Sequence, residues 1–238
     1  MAKWKAGLAA IMMVALCSCA EERPAAEAPP EDTAAGASQP SAATPAPADP
    51  WRIAVAGGDG TVGPGTSRAE LARRFAGAVT DTMIHMGEAQ FAPGTVAHAE
   101  DPLRRIEVVW QDSARLKPWR VQVAGDSSRW VVGPGITLGT RLTELERLNG
   151  RPLSLTGFGW DYGGTVMGWD QGALEQALIG GNGRVIVRLA VDSAETGSDD
   201  ARSVSGDGVF RSDTPAMQRL DPAVHQIIVE YDGPPGGA

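Results

Sequence analysis

The sequence predicts an α+β fold built from two short helix-plus-antiparallel-sheet units in tandem. Three observations point there. Short runs of strand type alternate with Gly- and Pro-bearing turns across residues 51–233, two amphipathic helices interrupt them, and each helix follows a Gly-Pro-Gly turn (Gly63–Gly65 and Gly133–Gly135). The predicted halves are residues 57–125 and 130–232.

The first helix starts at Ser67, where Glu70 completes a capping-box spacing ahead of Leu71, Arg74 and Phe75. Two strands follow at Arg105–Trp110 and Trp119–Val123. In the first, Ile106, Val108 and Trp110 alternate with Glu107 and Val109, the period of a strand with one better-buried face. The second helix, Arg141–Leu148, puts Leu142, Leu145 and Leu148 on one side and stops at Asn149-Gly150. Leu153–Phe158 and Thr165–Trp169 carry weaker strand signals. Arg184–Val191 repeats the period of two, with Val185, Val187, Leu189 and Val191 set against Ile186 and Arg188, and His225–Tyr231 is the last strand. A shift of 73 residues pairs Ser67 with Thr140, Ala72 with Leu145, and Gly77 with Gly150, whereas the Gly-Pro-Gly turns need a shift of 70; the internal repeat is imperfect.

Ahead of this domain lie two segments of other composition. Lys3 and Lys5 precede an apolar run from Ala6 to Leu16, followed by small residues and Cys19, the order of a secretory signal over residues 1–18. The run is too short to span about 30 Å of hydrocarbon. The end of it resembles the lipobox of bacterial lipoproteins, which implies a lipid on Cys19; Cys17 fits less well because bulky Leu16 precedes it. After Cys19, residues 20–50 are mainly alanine, proline, serine, threonine and acids with no apolar side chain larger than alanine apart from proline, so residues 19–50 read as a disordered tether, with a random-coil span of roughly 30 Å. Residues 234–238 read as a flexible tail. Ala20 stands where aspartate would signal inner-membrane retention, so the expected location is the outer membrane, facing the periplasm and attached through the lipid.

Charge narrows the function classes. The net charge of −8 becomes −10 when Lys3 and Lys5 leave with the signal, and Lys117 is then the sole lysine. An acidic chain of this kind argues against nucleic acid as a partner. Both cysteines precede the domain, so no disulfide is expected within it. His85, His98 and His225 are scattered without ligand spacing, and no metal or cofactor is expected. Asp192, Glu195, Asp199, Asp200 and Asp207 read as a solvated acidic segment.

The Gly57-Gly58-Asp59-Gly60-Thr61 run resembles the phosphate-binding loop of lipid and NAD kinases. It lacks the preceding strands and helices of a nucleotide fold, so it reads as a glycine-rich approach to the first helix. The densest aromatic stretch is Gly157–Thr165, with Trp169-Asp170 beyond it. Strand alternation would place Phe158, Trp160 and Tyr162 on one face, and Trp160, Asp161, Tyr162 and Trp169 form the candidate binding residues. The alternative is a glycan-processing hydrolase using Asp161 or Asp170 as carboxylates. No other catalytic constellation is present, which favours a non-catalytic module for an envelope protein partner.

The run from Gly135 to Gly150 and the Gly157–Gly164 segment, with Asp101-Pro102 and Ser212-Asp213, resemble a family of bacterial envelope proteins without an assigned activity. A looser architectural similarity connects the helix-then-strands rhythm to β-lactamase inhibitor protein and to the small lipoprotein of the outer-membrane assembly machine. Those resemblances imply a binding module and no mechanism.

Overall fold

A computed structural model describes residues 51–57 and 60–233. The fold is α+β, with five short helices and antiparallel sheets among the described residues. Helix α1 (Arg68–Arg74) begins at Ser67, whose hydroxyl accepts from the Glu70 amide at 3.2 Å, half of the expected capping box. The other half is missing, because the Glu70 carboxylate pairs with Arg74 one turn on.

Four hairpin-linked strands follow: β1 (Val79–Gly87), β2 (Gln90–Ala97), β3 (Ile106–Trp110) and β4 (Pro118–Ala124). Helix α2 (Leu142–Asn149) buries Leu142 and Leu145 and ends at Gly150 in the left-handed conformation, whose amide returns to the Glu146 carbonyl. Its N-cap is Arg141 rather than Thr140, so the two N-caps, Ser67 and Arg141, lie 74 residues apart, not 73. Asp221 supplies the missing cap from across the fold: its Oδ1 accepts from the Thr143 amide at 2.9 Å.

The rest of the chain forms β5 (Ser154–Thr156), β6 (Val166–Gly168), α3 (Ala173–Leu178), β7 (Ile179–Gly180), β8 (Gly183–Ala190), α4 (Asp199–Ser203), β9 (Val209–Arg211), α5 (Pro215–Leu220) and β10 (Ala223–Tyr231). The strands do not form two tandem sheets. One seven-stranded sheet runs β1-β2-β3-β4-β10-β8-β7, with β4 paired to β10 where the halves meet, and β6-β5-β9 make a separate three-stranded sheet. The second half divides its strands between the two sheets, whereas the first half commits all four to one.

The inner face of the large sheet is the period-two face read from the sequence. Ile106, Val108, Val121, Val187, Ile227 and Val229 are fully buried there, with Leu71, Leu142, Leu145 and Trp130 in the same cluster. At about 25 cal/mol per Å² of apolar surface removed from water, this continuous core is the main source of stability.

The outer face is concave. Strand β1 lies three places from β4 in the sheet, yet the carbonyls of His85 and Met86 accept hydrogen bonds from Gln122 and Arg120 of β4. The β1–β2 hairpin therefore curls back over the sheet. Gly94 allows the close approach, since a Cβ there would lie 2.5 Å from the Val108 carbonyl oxygen. A small cluster of Ile84, Val96 and Val109 seals the fold of the curl.

Candidate functional site

On the curled face, β4, β8 and β10 present Arg120, Gln122, Arg188, Gln226 and Glu230 in place of aliphatic residues. Arg120 is only 7 % exposed. Its Nη2 lies 3.4 Å from Glu230 Oε1, and Glu230 is shared with Arg184 at 2.6 Å. Burial pulls the Arg120 guanidinium below its ordinary pKa, and Glu230 opposes that shift. Gln122 donates to Glu107 at 2.7 Å.

Arg188 has no carboxylate partner among the described residues. Nη1 donates to Gln226 Oε1 at 3.0 Å, and the guanidinium lies 4.9 Å from the centre of the Tyr162 ring. Its Nε, like that of Arg120, is buried without a hydrogen-bond partner. Burial again lowers the guanidinium pKa. An orphaned donor on a desolvated cation is a cost the fold bears without return from the contacts present.

Tyr162 belongs to the Gly157–Thr165 segment, which joins β5 to β6. This segment is a compact loop and not the strand its alternation suggested, so Phe158, Trp160 and Tyr162 do not share a face. Phe158 turns into the core, Tyr162 is half-buried, and Trp160 is 40 % exposed. The loop is held by its own bonds: the Tyr162 carbonyl accepts from Thr156 and Thr165 hydroxyls, and the Trp160 indole N–H donates to the Gly157 carbonyl at 3.1 Å. Trp160 and Tyr162 meet edge to face, 5.6 Å between centres. Gly164 anchors the loop against the sheet. Its φ is +70°, its carbonyl accepts from the Leu189 amide, and a Cβ would overlap the Leu189 carbonyl.

Two cavities flank this loop. A polar one of about 320 Å³ is lined by His85, Glu88, Asp161, Arg188, His225 and Gln226, along with the β1–β2 turn. A more apolar one of about 220 Å³ lies between Trp160 and β8, and His225 lines both. Burial, reinforced by the Arg188 charge, holds His225 below the usual imidazole pKa. The Tyr162 hydroxyl is raised by burial and by the neighbouring Glu88 carboxylate. The turn residues Glu88 and Ala89 both have positive φ, 46° and 58°, a conformation that costs non-glycine residues on the order of 1 kcal/mol or more each.

The sequence-predicted site residues divide accordingly. Trp160, Asp161 and Tyr162 come together beside the polar cavity. Trp169 does not join them: it is 4 % exposed and belongs to the main core, its carbonyl bonded at 2.7 Å by Asn149 at the end of α2. Asp170 is also elsewhere, 3.8 Å from Arg211 of β9, so the two candidate hydrolytic carboxylates sit in different environments. The acidic segment is pinned by arginines, Asp192 by Arg141 and Asp200 by Arg219. Among the described residues no group of three or more His, Cys, Asp or Glu side chains could hold a metal ion.

Cys19, the tether and the 234–238 tail lie outside the described residues, as do Gly58 and Asp59. No helix among the described residues is long and apolar enough to cross a membrane. Sequence reasoning missed His85, Glu88, Arg188 and His225. Only Arg188 left a signal, as a charge in the middle of an otherwise aliphatic strand. Comparison with protein-family models, with curated proteins and with solved structures finds nothing that matches this chain.

Proposed function

We propose that this chain is a lipid-anchored envelope protein whose α+β domain is a non-catalytic binding module, with the Gly157–Thr165 loop as its contact surface. The observation that carries this reading is the setting of Trp160. Its one polar atom is satisfied internally by Gly157, so what remains exposed is an apolar ring on a loop tied down at both ends. Rigid, partly exposed tryptophans beside a cavity are the residues on which binding energy concentrates. The sequence adds the lipid on Cys19 and the tether of residues 19–50, which would hold the domain near the outer membrane on its periplasmic side while leaving it free to meet an envelope protein.

The test is affinity capture from envelope extract with the immobilised protein and a Trp160→Ala variant. A partner retained by the parent and reduced tenfold or more by the variant supports the module, because loss of a central aromatic contact costs about 2 kcal/mol or more. The variant must melt as the parent does. Equal capture by both proteins contradicts the proposed surface.

A further inference from the structure

The polar cavity contains an opposed pair of charges that do not meet. Arg188 lines its floor and makes no ion pair among the described residues; its one described hydrogen bond goes to the neutral Gln226, and its Nε is buried without a partner. Asp161 lines the same cavity from the aromatic loop, exposed and likewise without an ion pair among the described residues. Glu88, a second carboxylate on the cavity wall, lies beside the Tyr162 hydroxyl. A cation and an anion lining one small cavity would normally close on each other, and here about 320 Å³ of space lies among the groups that carry them. That volume is at the small end of the range for small-molecule sites. The strained Glu88-Ala89 turn and the inward curl of the β1–β2 hairpin form its wall.

We propose that this cavity binds a small zwitterion, one molecule bearing both a carboxylate and an ammonium group. The carboxylate pairs with the Arg188 guanidinium, whose described side-chain contacts are the neutral Gln226 and the Tyr162 ring. The ammonium group faces Asp161. A simple anion would satisfy Arg188 but meet repulsion from Asp161 and Glu88, and a simple cation would meet the reverse, so the charge arrangement selects for a molecule carrying both. Tyr162 forms the roof over the guanidinium, which places the ligand directly behind the contact loop. The inference deepens the binding-module reading and rests on it only in treating that loop as a working surface.

Calorimetric titration of the purified protein at low ionic strength tests it, with glycine and 4-aminobutyrate as zwitterions of short and long charge separation, and acetate as the plain anion. At least one zwitterion should bind about tenfold more tightly than acetate, the contribution of one charge-assisted contact. Asp161→Asn should erase that advantage, weakening the zwitterion and strengthening acetate as its repulsion is lifted, and Arg188→Gln should abolish binding of all three. No binding by either zwitterion, or acetate equal to both, overturns the proposal. So does an Asp161→Asn variant that keeps the advantage, and because Asp161 is exposed this comparison stands even if Arg188→Gln fails to fold. If the zwitterions fail while Trp160-dependent capture persists, this inference falls and the binding module remains.

Discussion

Strands β4, β8 and β10 carry Val121, Val187 and Ile227 on the face toward the helices and Gln122, Arg188 and Gln226 on the face beneath the β1–β2 hairpin. The same three strands thus present an apolar surface and a polar one, and both are largely withdrawn from water. The inner face needs no other explanation, since burial of aliphatic side chains is what holds such a fold together. The outer face runs against that economy. Arg120 is buried with an unpartnered Nε, Arg188 has no ion-pair partner among the described residues, and the hairpin that covers them turns through two non-glycine residues at positive φ. Polarity of that kind is retained at sites that do something, and it stands beside the exposed Trp160.

Changes on the inner face should have the largest effect. Leu145→Ala removes a fully buried side chain shared between α2 and the sheet, and is expected to lower unfolding free energy by about 3 kcal/mol in urea titration. A loss under about 1 kcal/mol would mean that the fold does not depend chiefly on this core. Next comes acidification. His225 and His98 are held below their ordinary pKa chiefly by burial, so the unfolded chain takes up a proton at a higher pH than the fold does. Stability should be full above about pH 6.5 and fall as pH drops below it. Further loss follows in stronger acid, where Asp81 titrates. Burial raises that carboxyl, but hydrogen bonds from Thr95, Arg115 and Arg68 outweigh it and set the folded value low. Urea titration at about pH 7.5 and about pH 5.5 checks the first step, and His225→Gln should shrink the difference. The smallest effect belongs to Arg120→Met. Removing one partner of a buried ion pair is usually costly, but here Glu230 keeps Arg184 at 2.6 Å, so this variant should melt within a few degrees of the parent. A large destabilisation would make the outer-face charges structural.

The two faces also differed in how far the sequence disclosed them. β3 and β8 were legible because their apolar residues alternate, β4 and β10 as short runs of strand type, and the Ser67 and Gly150 boundaries followed from capping chemistry. Strand β1 was invisible: Thr80, Asp81 and Thr82 face solvent and only Ile84 is buried, so no alternation forms. Its turn was equally hidden, since Glu88-Ala89 carries none of the Asn-Gly chemistry that normally marks a two-residue hairpin. Helices α3, α4 and α5 have six residues or fewer, too short for a helical period to show. The apparent repeat misled on topology, because pairing of β4 with β10 is a long-range event that local similarity does not encode.

The candidate site was legible only in part, for the same reason. The Gly157–Thr165 segment stood out by composition, yet composition could not say that glycines would fold it into a loop, expose Trp160 and leave Trp169 in the core. His85 and His225 are 140 positions apart in the chain and share a cavity only because the hairpin curls back over β10.

The claim that the aromatic loop is the working surface is tested most directly by photo-crosslinking in producing cells, with a photoreactive residue at position 160 or, separately, at position 167. Met167 lies nearby on β6 and is 59 % exposed, so it controls for accessibility alone. A discrete adduct from position 160 and none from position 167 is the predicted result. Adducts from neither position, or the same adducts from both, would contradict it.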